Sequence, residues 1–124
     1  MNVLIVDDSV DSAQTLAKLL EVAGHTSAIA SNGKEALASV IASLPDVIVL
    51  DLIMPEMDGA NFLEVVRSYL RLQPLPVVVV TGAPDSPMVD RVQALKVNSV
   101  LLKGKASPEE IVKAIEEAAT RAPG

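Results

Sequence analysis

Val47-Ile48-Val49-Leu50 runs without a polar break into Asp51, and from there into Leu52-Ile53-Met54-Pro55-Glu56-Met57-Asp58-Gly59. Four successive apolar residues, three of them β-branched, suit a strand covered on both faces, as strands inside a parallel sheet are. Similar runs stand to either side: Val3–Val6, Ala28–Ala30, Val77–Val80 and Val100–Leu102. The run within Thr26-Ser27-Ala28-Ile29-Ala30 is the weakest and is expected at a sheet edge.

Helical periodicity fills the gaps between these runs. One stripe is Ala13, Leu16, Ala17, Leu20 and Ala23; a second is Leu37, Val40, Ile41 and Leu44. Phe62, Leu63, Val66, Tyr69 and Leu70 make a third, Val89, Val92 and Leu95 a fourth, and Ile111, Ile115 and Ala118 a fifth. Ser107-Pro108-Glu109-Glu110 has the form of a capping box with proline at the first helical position, and Ser86-Pro87 opens a helix in the same way. Gly24 is placed to stop the first helix. Five strand–helix units in alternation predict an α/β fold: an open parallel sheet with helices on both faces and right-handed crossovers.

Composition narrows the function. The chain has 124 residues, half of them apolar, which is room for one core. One domain over 1–120 with a short tail or linker at 121–124 is expected. Cysteine is absent, which excludes disulfides and thiol chemistry. Sixteen acids against ten bases give a net charge of −6, a balance that disfavours direct contact with nucleic acid or anionic membrane. Phe62 and Tyr69 are the only aromatics, too few for a stacking platform. No apolar run approaches a membrane span and no signal-like start is present, so a cytoplasmic protein is expected.

Ligands in open parallel sheets bind beyond the carboxyl ends of the strands. Asp7 and Asp8 follow the first strand, Asp51 ends the third, Thr81 the fourth, and Lys103 follows the fifth. Singly, each has a bland explanation: Asp8 or Ser9 as a helix cap, Thr81 as a turn residue, Lys103 as a solvated charge. All at one edge, they make a site. Carboxylates that converge repel by about 4 kcal/mol per close pair at an effective dielectric near 20, so they must take up a proton or a cation. A hard, oxygen-rich site with few ligands suits Mg²⁺, which keeps several waters and accepts a phosphate oxygen.

Val3-Leu4-Ile5-Val6-Asp7-Asp8-Ser9, Asp51 to Gly59, Val77-Val78-Val79-Val80-Thr81-Gly82 and Leu101-Leu102-Lys103 together closely resemble the receiver domain of two-component response regulators. The resemblance implies a flavodoxin-like (βα)5 sheet of strand order 2-1-3-4-5. It implies that Asp51 accepts a phosphoryl group from a phosphohistidine on a sensor histidine kinase or histidine phosphotransfer protein, and that an effector lies downstream. Asp8 would hold Mg²⁺ directly and Asp7 mostly through water, with Asp51 and the carbonyl of Ile53 as further ligands. Lys103 and Thr81 would meet phosphoryl oxygens, Pro55 and Gly59 would shape the intervening loop, and Asp58 would cap the third helix. His25 is expected as a turn residue at the other end of the sheet.

The family pattern breaks at three places. Gly104 stands where a proline joined by a cis bond is usual, and a trans Lys103–Gly104 bond is expected, since cis costs about 2.5–4 kcal/mol without proline. Val100 replaces a frequent aromatic, so output must travel by the backbone or the fourth helix. The segment from Ala94 to Ser99 lacks a glycine, and Asn98 is expected to take the left-handed conformation. Ile53 and Ala83, both apolar, cannot orient a water, which predicts slow self-dephosphorylation.

Three rivals compete. A pseudo-receiver that only binds partners would lack acids that are present here. An aspartyl-phosphate hydrolase would have a second acid where Ser9 stands. A flavodoxin-type cofactor protein would not place Asp7 and Asp8 against a phosphate.

Overall fold

The computed structural model describes residues 1–54, 57–83 and 85–120. Its elements alternate in chain order: β1 (Asn2–Val6), α1 (Val10–Val22), β2 (Thr26–Ala30), α2 (Gly33–Ala42), β3 (Val47–Asp51), α3 (Gly59–Ser68), β4 (Val77–Thr81), α4 (Pro87–Ala94), β5 (Ser99–Leu102) and α5 (Pro108–Ala119). All pairings are parallel and the order is β2-β1-β3-β4-β5. The expected flavodoxin-like order is the observed one.

Burial explains which run went where. Every residue of β3 is buried, in keeping with its unbroken apolar run and central place. β2 is exposed except at Ala30 and takes an edge. Two apolar layers sandwich the sheet. Phe62, Leu63, Val66, Val40, Val89 and Val92 bring α2, α3 and α4 to one face. Ala13, Leu20, Ile115 and Ala118 bring α1 and α5 to the other.

The caps form as the sequence implies. Ser107 and Glu110 close a reciprocal capping box, Ser86 accepts from the Met88 amide, and Asp58 accepts from the Asn61 amide at 2.8 Å. Ser9, not Asp8, caps α1 by accepting from the Ser12 amide. Gly24 follows directly after the C-cap Ala23.

Three helix stripes run past what is buried, the first at Ala23, the exposed C-cap of α1. Ile41 and Leu44 lie in the open, as do Tyr69 and Leu70. α3 ends at Ser68, and Tyr69 turns extended (φ −98, ψ 126). Its carbonyl accepts from Leu72 and Gln73, which puts Leu72 and Leu75 into the core and swings Tyr69 and Leu70 outward. A second correction concerns Asn98. The left-handed residue is Lys96 (φ 63). Asn98 instead stands just before β5 beside Val77, donating from its backbone to the Val77 carbonyl at 2.8 Å and accepting from the Val77 amide on Oδ1 at 3.1 Å. Asn98 is thus held against Val77 by two hydrogen bonds, and the left-handed turn falls two residues earlier, at Lys96.

Candidate functional site

At three strand ends one local device recurs. The Asp7 carboxylate accepts from the Ser9 amide at 2.9 Å, the Asp51 carboxylate from the Ile53 amide at 3.2 Å, and the Thr81 hydroxyl from the Ala83 amide at 3.1 Å. In each case a side-chain oxygen takes the amide two residues on, which bends the chain off the strand and holds the side chain at the sheet edge. The register places these turns side by side, with Val6 beside Leu50, Asp51 beside Val80 and Thr81 beside Leu102. The Lys103 amide donates to the Thr81 carbonyl at 2.8 Å, so the fifth strand end belongs to the same row.

The side chains converge. Oxygens of Asp7, Asp8 and Asp51 all lie within 4.8 Å of one another. Asp51 is 7% exposed, Asp7 partly buried and Asp8 open to solvent. Lys103 Nζ stands 3.1 Å from Asp51 Oδ2 and 3.4 Å from both carboxylate oxygens of Asp7. Burial pushes the Asp51 carboxyl above the ordinary aspartate value; the Lys103 bond and the Ile53 amide pull the other way without cancelling it. For Lys103, burial works against the charge, yet attraction to Asp51 and Asp7 outweighs it and raises the ammonium above its usual value. Carboxylates this close still repel by about 3–4 kcal/mol per pair at an effective dielectric near 20, and one ammonium cannot offset three of them. A divalent cation with oxygen preference fits that donor set.

Gly59 presses the loop onto the site. A methyl group on it would fall 2.5 Å from the Asp51 carbonyl oxygen and 2.7 Å from Leu52 Cα, and its amide donates to the Leu52 carbonyl at 2.9 Å. Pro55, expected to help shape this loop, lies outside the described residues, as does the 121–124 tail. Gly104 adopts φ +88, which a proline ring cannot, and no peptide bond among the described residues is cis. Lys103 reaches Asp51 all the same. A cleft of about 330 Å³ runs from the acids between α1 and α5, lined in its depth by Ile5, Leu16, Val49, Val80 and Ile111.

The response regulator receiver domain model matches residues 3–116. The chain belongs to that family. Receivers are the phosphoacceptor domains of two-component signal transduction, and this chain is one of them. Among solved structures, the receiver superposes on Vibrio cholerae chemotaxis protein CheY4 with a TM-score of 0.86 at 30% identity, covering 94% of this chain and 97% of that one. The signal receiver domain of a signal transduction histidine kinase from Syntrophus aciditrophicus gives a TM-score of 0.87 at 27% identity, covering 96% and 89%. A 14.6 kDa protein of Leptolyngbya boryana is 34% identical over 119 residues, 94% of this chain and 88% of that protein. The protein-glutamate methylesterase/protein-glutamine glutaminase of Archaeoglobus fulgidus is 37% identical over 101 residues, but the match takes in 81% of this chain and only 28% of the relative's length.

His25 sits apart from the receiver's acids, as expected. Its Nε2 meets Glu116 Oε2 at 2.9 Å on α5. Among the described residues no helix is long and apolar enough to cross a membrane. Sequence reasoning passed over Arg67. From the last turn of α3 its guanidinium donates to the carbonyls of Leu95, Gln73 and Leu75, each at 2.8 Å, and Lys96 at 3.1 Å. Burial lowers its pKa from the ordinary arginine value. A basic residue in a last helical turn is the only signal that could have flagged it.

Proposed function

We propose that Asp51 is the phosphoacceptor and that Asp7, Asp8, Asp51 and the Ile53 carbonyl hold Mg²⁺ beside it. The observation that carries this is one buried carboxylate, Asp51, meeting two further carboxylates within 4.8 Å and an ammonium at 3.1 Å. The three aspartates, one lysine and one divalent cation have formal charges that cancel, so an incoming phosphoryl group meets no net repulsion. When bound, the metal supplies charge neutralisation for the phosphoryl oxygens.

This chain's own groups do the rest. The Ile53 amide holds Asp51 Oδ1 and the Lys103 ammonium faces Oδ2, which fixes the plane of the nucleophile. A carboxylate oxygen attacks phosphorus in line, the phosphorus–nitrogen bond of the donor imidazole breaks, and that nitrogen keeps the electron pair. No general base is needed. Lys103 then pairs with a phosphoryl oxygen. The Thr81 hydroxyl accepts from Ala83, which leaves its proton to donate to another phosphoryl oxygen.

The donor is a phosphohistidine on a sensor histidine kinase or a histidine phosphotransfer protein, and residues 1–120 form the receiving unit in the cytoplasm. The new charge draws Thr81 inward and with it the loop leading to α4, because Val100 offers no aromatic ring to relay the change. Self-dephosphorylation is slow, since Ile53 (54% exposed) and Ala83 are apolar and neither can orient an attacking water.

Incubation with Mg²⁺ and acetyl phosphate should add about 80 Da, the mass of one phosphoryl group. The Asp51→Asn chain should gain nothing. A mass gain in that variant, or none in the parent, sinks the assignment.

A further inference from the structure

The strands point toward Asp51, and α2 and α3 run back, so their C-terminal ends lie at the far edge of the sheet. There Ile41 (73% exposed), Leu44, Tyr69 and Leu70 (84% exposed) cluster on the surface. They line a groove of about 540 Å³ with Arg71 at its rim. A neighbouring groove shares Leu70 and is lined by Arg67, Leu95 and Lys96. Among the described residues no carboxylate lines either groove, in a chain with sixteen acids. Among the described residues, Arg71 and Lys96 enter no ion pair. The patch is therefore apolar and positive on a protein of net charge −6. Clustered exposed side chains of this size mark an interaction surface.

We propose that this paired groove docks an amphipathic helix of a partner protein, its apolar face in the groove and its carboxylates against Arg71 and Lys96. Concavity favours an inserted segment, and a helix offers apolar anchors at the i, i+3 and i+7 spacing such grooves take. Charge selects the acidic partner. A second copy of this chain would bring the same cations face to face on two bodies of like net charge. Anionic membrane is a poorer match: two cations are a weak anchor for such a surface, and the chain's net negative charge is repelled by it. The site lies at the opposite end from Asp51, so its occupant need not compete with a phosphodonor, and it does not depend on the phosphoacceptor assignment.

The test uses the ¹⁵N-labelled 124-residue chain and three probes: a four-turn helical peptide with leucines on one face and glutamates elsewhere, its lysine counterpart, and phosphatidylserine-containing vesicles. The glutamate peptide should bind with Kd on the order of 10–100 μM, with amide shifts confined to residues 40–44, 67–72 and 95–96. Leu70→Ser and Arg71→Glu should each weaken it by about tenfold, and Arg71→Glu should favour the lysine peptide. Both positions are exposed, and an unchanged amide spectrum away from the patch checks that the variants are folded. Equal binding of the two peptides, shifts elsewhere, binding to neither, binding to vesicles alone, or a dimer abolished by Leu70→Ser would each overturn the proposal.

Discussion

Replacing Gly59 with alanine tests whether backbone contact, and not only side-chain chemistry, builds the site. The new methyl would sit 2.5 Å from the Asp51 carbonyl oxygen, whereas ordinary contact starts at 3.4 Å, so strand end and helix start must part by about 0.9 Å. Both near atoms are backbone, so no flexible side chain can yield. Overpacking of this kind costs about 1–3 kcal/mol, against a helix-propensity gain of at most about 1 kcal/mol, and the strain wins. For a domain this size a net loss of 1–2 kcal/mol lowers Tm by roughly 3–10 °C. The same displacement moves the Asp51 carboxylate relative to Asp7, Asp8 and Lys103, and a shift near 1 Å can cost about 10²-fold in rate. Thermal melts and acetyl phosphate labelling followed by intact mass measure both quantities. Gly82→Ala is the control: among the described residues nothing lies within 4 Å of its added methyl, so its stability should stay within about 1 kcal/mol of the parent. A Gly59→Ala chain that melts and labels like the parent would refute the close approach as a determinant of the site.

Three further outcomes are expected. Asp51 has a raised carboxyl pKa, so the folded chain binds its proton more tightly than the unfolded chain and stability falls as pH rises from 3.8 toward the folded value. In metal-free buffer at neutral pH, Asp51→Asn should therefore melt higher than the parent, the gap should close on acidification below about 4, and Mg²⁺ should narrow it by stabilising only the parent; an equal or lower melting point refutes the burial argument. Ile53→Asn should shorten the acyl-phosphate lifetime, measured as loss of the added mass after donor removal, and an unchanged decay rate would dismiss the role given to the apolar rim. Arg67→Met strips donors from four carbonyls and should cost about 2–4 kcal/mol in urea denaturation, while labelling at Asp51 persists; a neutral result would mean water replaces the guanidinium.

Much of the molecule was legible because its signals are local. An unbroken, β-branched run such as Val47–Leu50 suits a covered strand, and Ser107-Pro108-Glu109-Glu110 has the form that opens a helix. The site was legible for a related reason: in a parallel sheet every carboxyl end faces the same way, so Asp7, Asp8, Asp51, Thr81 and Lys103 had to share an edge once the strands were assigned. Periodicity failed where it had no means of knowing that a neighbour ends. Ile41, Leu44, Tyr69 and Leu70 continue their stripes in sequence, but the structure leaves them exposed.

Alternation of period, strand-end chemistry and caps thus belonged to the sequence itself, since each depends on residues a few positions apart. Other features came only with the tertiary structure. These are the 2.5 Å approach of Gly59 to the Asp51 carbonyl, the turn at Lys96 in place of Asn98, the grip of Arg67 on four carbonyls, and the basic apolar groove around Leu70. Each depends on which distant backbone stands opposite, and that is settled when the sheet and its two helix layers close on one another.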